Sequence, residues 1–347
     1  MRIAIVNDMK MAVEALRRTI ESFPGYEVVW VALNGNEAVR QCARDVPDLI
    51  LMDLIMPEMD GVEATRQIMA KSPCAILVVT SSVTQNVSLV FQAMGAGALD
   101  AVSTPTVGMD EHATGRDEFL HKIRTIGRLI DANRRNSTFK PRKAGKADKS
   151  NNWLVVIGAS TGGPAAVATV ISRLPENIQA SVVVIQHVDQ DFASGLAAWL
   201  DQQSVLPVRL AKEGDRIENG KILIAGTNDH LVVKKDQTLG YQLEPAAIPY
   251  RPSVDIFFES VLTNWHGQSI AVLLTGMGKD GAAGLLALRN SGVFTIAQNA
   301  ATCAVYGMPK AAVKLDAADK ILPVNSIAEA ILANLAAGHS GATRHEK

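Results

Sequence analysis

The chain is poor in the features that mark several classes of protein. Cysteine occurs three times in 347 residues, as Cys42, Cys74 and Cys303, with no CxxC spacing. Such an odd, scattered set argues against a disulfide framework and against a zinc site. No stretch approaches the roughly 20 consecutive apolar residues of a membrane span. The opening MRIAIVND lacks the basic and long apolar regions of a secretory signal. Neither sign of charge dominates: the net charge of −1 offers nucleic acid no general attraction. These absences predict a soluble cytoplasmic protein, without membrane insertion or nucleic-acid partner, and a monomer is expected.

What is present is apolar bulk in a regular pattern. Apolar residues make up 48% and charged residues 20%. That is enough to fill the cores of about two domains at this length. In the first half the apolar runs IAIV (3–6), EVVWVA (27–32), DLILMD (48–53), AILVVT (75–80) and ALDAVS (98–103) alternate with helical patterns such as 12–23 and 36–45. Repeated strand–helix–strand alternation predicts a parallel sheet covered on both faces. A last helix is expected over roughly 116–135. The segment NSTFKPRKAGKADKSNN (136–152) has almost no apolar residues and reads as an exposed basic linker.

The second half restarts with NWLVVIGAS (152–160). Further strand candidates lie at 181–187, 208–211, 221–226, 230–235, 269–276 and 293–298. KILIAG and HLVVKK, joined by TND, read as an antiparallel hairpin within a mostly parallel sheet. The fold class is thus α/β in both halves. The expected domains are 1–125, a helix end and linker over 126–151, a doubly wound domain over 152–337, and a disordered tail over 338–347.

In a parallel open sheet, ligands bind beyond the carboxyl ends of the strands. In the first half those ends carry Asn7 and Asp8, Asp53, Thr80 and Ser81, then Thr104 and Pro105. Two carboxylates with carbonyls and waters suit Mg²⁺. A carboxylate beside it can attack a phosphoryl group. The stretches VND (6–8), LMDLIMPEMDG (51–61), VVTSS (78–82) and GALDAVSTP (97–105) resemble the receiver domain of two-component response regulators, a flavodoxin-like fold. The resemblance implies Asp53 as phosphoacceptor, Asp8, Asp53 and the Ile55 carbonyl as Mg²⁺ ligands, and Thr80 as the switch hydroxyl. Receivers usually carry a second acid where Asn7 stands, and a lysine at the switch position held here by Thr104. The first change should weaken Mg²⁺ binding, and the second removes a cation from the phosphoryl oxygens.

In the second half, VVIGASTGGP (155–164) sets a serine among glycines at a strand end. It could cradle a phosphate, cap a helix or hold a nucleophile. GASTGG fits neither GxGxxG nor the P-loop pattern, and no lysine is placed for a phosphate. Capping and catalysis are not exclusive, since a serine on a tight strand-to-helix turn is exposed near N–H groups that face an oxyanion. A nucleophile needs a base and the base an orienter. His187 follows SVVVIQ at a strand end, on the same rim as Ser160 if the strands are parallel. Asp280 lies in the Gly-rich loop of SIAVLLTGMGKDGAAGLLAL (269–288), also at that rim. The order Ser, His, Asp matches none of the three common hydrolase orders.

The motifs IGASTGGP (157–164), VIQH (184–187), YRPSVDIFF (250–258), LLTGMGKDGAAGL (273–285) and CAVYGMPKAA (303–312) resemble the chemotaxis protein-glutamate methylesterases, the CheB family, over about 152–335. The order of receiver then esterase matches too. The resemblance implies Ser160 as nucleophile, His187 as base and Asp280 as its orienter. It also implies Met277 N–H as an oxyanion donor, with Thr161, Gly162 and Gly278 beside the site. No metal is needed in this half. The implied substrate is a γ-glutamyl methyl ester, or a glutamine, on a methyl-accepting chemoreceptor-like protein. The implied phosphodonor is a CheA-like histidine kinase, and the receiver is expected to cover the esterase until Asp53 is phosphorylated. Val188 and Asp189 replace the family's usual Met-Pro, and Gln298, Asn299 and Ala300 lack its common acidic pair. With Asn7 and Thr104 these changes suggest a specialised branch of the Wsp surface-sensing type. A catalytically weak docking regulator is the alternative. A DNA-binding regulator is disfavoured by the lack of a helix-turn-helix signal.

Overall fold

Short apolar runs become the strands of two separate parallel sheets. The computed structural model describes residues 1–80, 83–104, 119–120, 122–124, 126–127, 150–245, 248 and 251–342. Residues 136–149 of the expected linker, Ser81, Pro105, Tyr250 and most of the helix expected over 116–135 lie outside the described residues, and the last three linker residues, 150–152, instead open a strand. The chain divides into the units Met1–Asn136 and Ser137–Lys347.

The first unit runs β1 (Arg2–Val6), α1 (Lys10–Glu21), β2 (Glu27–Ala32), α2 (Gly35–Arg44), β3 (Leu49–Met52), α3 (Gly61–Lys71), β4 (Ala75–Thr80), α4 (Val83–Gly95) and β5 (Asp100–Ser103). Its sheet order is β2-β1-β3-β4-β5, with every pair parallel. All four residues of β3 are buried, as a strand covered on both faces requires. The order reverses between β1 and β3, so their carboxyl ends flank the crevice that carries Asp8 and Asp53. Phe119, Leu120, Ile123 and Ile126 join Ile3, Leu16 and Leu77 in one core. Ile126, at the expected helix end, packs in this core because it falls on the same helical face as Phe119 and Ile123.

The second unit runs β6 (Ser150–Ala159), α5 (Gly163–Ile171), β7 (Ala180–Gln186), α6 (Gln190–Asp201), β8 (Val208–Leu210), β9 (Ile222–Ile224), β10 (His230–Val233) and β11 (Leu239–Gln242). It continues with α7 (Val254–Asn264), β12 (Gly267–Leu273), α8 (Ala282–Asn290), β13 (Phe294–Gln298), α9 (Met308–Lys314), β14 (Lys320–Leu322) and α10 (Val324–Ala342). Seven strands in the order β14-β13-β12-β6-β7-β9-β8 form the sheet, and every pair is parallel.

The expected hairpin of KILIAG with HLVVKK is not formed. Ile222, Leu223 and Ile224 of β9 are all buried and pair in parallel with β7 and β8. HLVV pairs instead with LGYQ of β11, antiparallel, in a separate two-stranded ribbon. The turn between them closes through Lys234 N–H to Thr238 O at 2.8 Å. The tail also differs from expectation over 338–342, which α10 includes by continuing to Ala342, while residues 343–347 lie outside the described residues.

β6 lies between β12 and β7. Ala159 is level with Gln186, and Gly158 with Leu273. The next residues of all three strands therefore emerge side by side, which sets the place of the site.

Candidate active site

Ser160 follows the last residue of β6. Its N–H donates to Thr275 O at 3.0 Å, and its carbonyl accepts Gly163 N–H at 2.7 Å. The chain turns into α5 through Gly162 at φ +72°, a conformation that suits glycine. A side chain there would also run into Ala304. Thr161 is buried and Ser160 partly exposed. A strand, a sharp turn and a helix N-terminus thus present the serine at the rim.

His187 is the first residue after β7, and its N–H donates to Ala159 O at 3.1 Å. The side-chain amide of Gln186 donates to the carbonyls of both Ser160, at 2.8 Å, and His187, at 3.2 Å. One buried side chain thus fastens the two strand ends together. The His187 ring Nε2 meets Asp280 Oδ2 at 2.7 Å, with side chains 12% and 5% exposed.

The Asp280 carboxylate is held at the N-terminus of α7. It accepts from Ser253 Oγ at 2.8 Å, Val254 N–H at 2.7 Å and Asp255 N–H at 3.1 Å. Burial works to raise this carboxyl, but the His187 hydrogen bond and charge and the backbone donors outweigh it and hold it below its ordinary value. A carboxylate at a helix N-terminus is further favoured by the helix dipole. The group is therefore a fixed anion facing one ring nitrogen.

The loop after β12 faces the serine. Gly276 N–H donates to Val305 O at 3.1 Å, and its carbonyl accepts Gly307 N–H at 3.1 Å and Met308 N–H at 2.8 Å. The Thr275 hydroxyl donates to Thr161 O at 3.0 Å and accepts Val305 N–H at 2.9 Å. Gln298 Oε1 accepts Thr275 N–H at 2.8 Å, and its amide donates to Thr302 O at 2.7 Å. Among the described residues the N–H groups of Thr161, Met277 and Gly278 meet no acceptor. An N–H group without an acceptor can donate to an oxyanion.

Sequence reasoning singled out Ser160, His187, Asp280, Thr161, Gly162, Met277 and Gly278, and all lie on or beside this rim. It missed the residues that hold them: Gln186, Ser253, Thr275, and Gln298 as a brace. Ser253 alone had a readable signal, a serine just before the apolar run VDIFF. Asp189 caps α6 by accepting Asp191 N–H at 2.9 Å, so that departure has a local structural role.

In the first unit, Asp53 lies at the end of β3, and its N–H donates to Val6 O at 2.9 Å. The Asn7 amide donates to Asp53 Oδ2 at 2.9 Å. Leu54 N–H donates to Asp53 Oδ1 at 2.7 Å. Burial raises the Asp53 carboxyl against the pull of Leu54 and Ile55 N–H, and the Asp8 charge adds to the rise. A side chain at Gly61 would strike the Asp53 carbonyl, which explains the glycine in MDG. Asp8 and Ile55 are exposed at this rim. Among the described residues no cluster of three or more His, Cys, Asp or Glu could hold a metal. A cation here would rest on two carboxylates with carbonyl and water oxygens, a donor set that fits Mg²⁺. Thr80 is buried, and its hydroxyl accepts from the Asn86 amide at 3.3 Å. Thr104 N–H donates to Thr80 O at 2.9 Å.

Comparison with known proteins places these features. The family described as CheB methylesterase matches residues 155–331, and the response regulator receiver domain matches 3–111. A Pseudomonas aeruginosa protein named protein-glutamate methylesterase/protein-glutamine glutaminase 3 is 54% identical over 330 residues, covering 94% of this chain and 98% of its own. A Bordetella avium protein named protein-glutamate methylesterase/protein-glutamine glutaminase 1 is 54% identical over 328 residues, covering 94% and 95%. Among solved structures, the Thermotoga maritima CheB methylesterase catalytic domain is 37% identical over 51% of this chain and 95% of its own, with a TM-score of 0.49.

Proposed function

The chain belongs to the CheB methylesterase family, and from this premise we infer a phosphorylation-regulated protein-glutamate methylesterase and protein-glutamine glutaminase. The observation that carries the reading is the His187–Asp280 pair at 2.7 Å, on the rim where Ser160 sits at the strand-to-helix turn. The substrate is a γ-glutamyl methyl ester or a glutamine of a chemoreceptor-like protein.

Ser160 Oγ attacks the ester carbonyl carbon while His187 takes its proton. Asp280 already occupies Nε2, so the proton sits on Nε2 and Nδ1 is the accepting nitrogen. The fixed Asp280 carboxylate holds that tautomer and stabilises the imidazolium that forms. Backbone N–H groups of Met277 and its neighbours Thr161 and Gly278 take the oxyanion, each typically worth about 3 kcal/mol of barrier. The imidazolium returns the proton to the departing methoxide, and methanol leaves. Water, deprotonated by His187, then attacks the acyl-serine, and His187 returns that proton to the departing Ser160 Oγ as the glutamate is freed. Glutamine follows the same course with ammonia as leaving group.

In the receiver, Asp53 is the proposed phosphoacceptor, and a CheA-like histidine kinase the phosphodonor. Mg²⁺ would be held by Asp8, Asp53 and the Ile55 carbonyl, where it supplies positive charge for the phosphoryl oxygens. The Asn7 amide holds the Asp53 carboxylate, and Thr80 and Thr104 are the proposed switch residues.

The test is methanol release from methylated receptor membranes by the wild type and by Ser160→Ala. The wild type should release methanol, and the variant should lose at least about a thousandfold in rate. Equal release by both proteins rejects Ser160 as the nucleophile.

A further inference from the structure

A second histidine lies behind the triad. His230, at the start of β10, is fully buried. Its Nδ1 accepts Ser253 N–H at 3.1 Å. A ring nitrogen that accepts carries no proton, so the neutral ring holds its proton on Nε2. Nε2 faces the Pro245 carbonyl at 3.4 Å, so one tautomer serves both nitrogens.

The place of this bond matters. Ser253 is the N-cap of α7, and its hydroxyl accepts Ile256 N–H. In a capping box the third helical residue is Glu or Gln and takes the N–H of the cap. Here that residue is Ile256, which cannot. His230 supplies the missing acceptor from outside the helix. The same N-terminus supplies the Ser253, Val254 and Asp255 donors that hold the Asp280 carboxylate.

We propose that His230 is a positioning residue for the esterase reaction: by accepting the Ser253 N–H it holds the α7 N-terminus, and the Asp280 carboxylate bound there, in line with His187. The proposal rests on the esterase reading above. Without this acceptor a buried N–H loses its partner, which favours a shifted cap. Asp280 then supports the imidazolium less well. Asp280 serves the imidazole and not the ester, so the loss falls on kcat.

The experiment compares the full-length wild type with His230→Asn, His230→Gln and His230→Leu. Asn can present an oxygen where Nδ1 stood. Gln reaches past that position, and Leu has no acceptor. Methanol release is measured from methyl-labelled receptor membranes, and amide exchange at Ser253 is followed in the same proteins. H230N should keep kcat within about threefold, and H230Q and H230L should lower it about tenfold or more, with KM within about twofold. Ser253 N–H should stay protected in H230N and exchange faster in the other two. Wild-type kcat in H230Q, or equal losses in H230N and H230Q, overturns the proposal. So does a rise in KM at constant kcat. Should H230L not fold, the Asn and Gln variants carry the comparison. An inactive wild type rejects the esterase reading, while the exchange data still decide whether His230 is the acceptor.

Discussion

Two carboxyls meet at the N-terminus of α7, and their surroundings push them in opposite directions. Asp280 collects donors and stays ionised. Asp255 gives its N–H to Asp280 at 3.1 Å, while its own carboxyl accepts Gly284 N–H at 2.7 Å. Burial pushes Asp255 up to about 6; the Gly284 N–H works against it, and the charges of Asp280 and Glu259 add to the rise. Folding therefore tightens proton binding at Asp255, so its contribution to stability falls as pH rises through the interval up to about 6. For Asp280 the sign is reversed: its contribution is present above the ordinary carboxylate range and is lost as the solution is acidified. Asp255→Asn keeps an oxygen for Gly284 N–H and removes the charge. It should stabilise the protein by about 1–3 kcal/mol above pH 7 and by little near pH 4. Thermal melts across that range check it, and a gain independent of pH would reject the electrostatic cause.

At the scale of elements, the site depends on one helix start and three strand ends. Ser253→Ala removes both the N-cap acceptor of α7 and the hydroxyl donor to Asp280. It should cost about 1 kcal/mol of stability and about tenfold in kcat, read from melts and methanol release. Unchanged kcat with lowered stability would leave Ser253 with capping alone. Much of this region was legible in the sequence. The β6, β7 and β12 runs are apolar and continuous, and parallel strands bring their carboxyl ends to one rim, so Ser160, His187 and Asp280 could be grouped before any coordinates. The supports were not legible. Gln186 sits in the apolar run VVVIQH, and nothing in its spacing says that its amide spans two carbonyls. The Ser253 cap could be read, but not that it faces Asp280, which is 27 residues away along the chain. The failed hairpin has the same origin. β9 and β10 are close in sequence and both wholly buried, but ILI pairs with β7 and β8 in the large sheet, and HLVV pairs with LGYQ. Turn spacing alone cannot show that long-range pairing.

At the scale of the whole molecule, each unit has its own sheet and its own core. Phe257, Phe258, Leu273 and Leu285 belong to a second-unit core that, among the described residues, has no member from the first unit. The catalytic unit should thus fold without the receiver, which makes the proposed regulation testable by deletion. If the unphosphorylated receiver inhibits, its influence is a bias between two domain arrangements that a new charge on Asp53 shifts. Interfaces between domains of one chain are usually modest, so a phosphoryl group can suffice. Removing residues 1–140 should raise basal methanol release several-fold, on the order of the rise produced by a phosphodonor with Mg²⁺ on the full chain. The phosphodonor should leave the truncated protein unaffected, and Asp53→Asn should abolish its effect on the full chain. A truncation no faster than the unphosphorylated full chain would remove inhibition from the mechanism and leave activation by phosphorylation as the receiver's contribution.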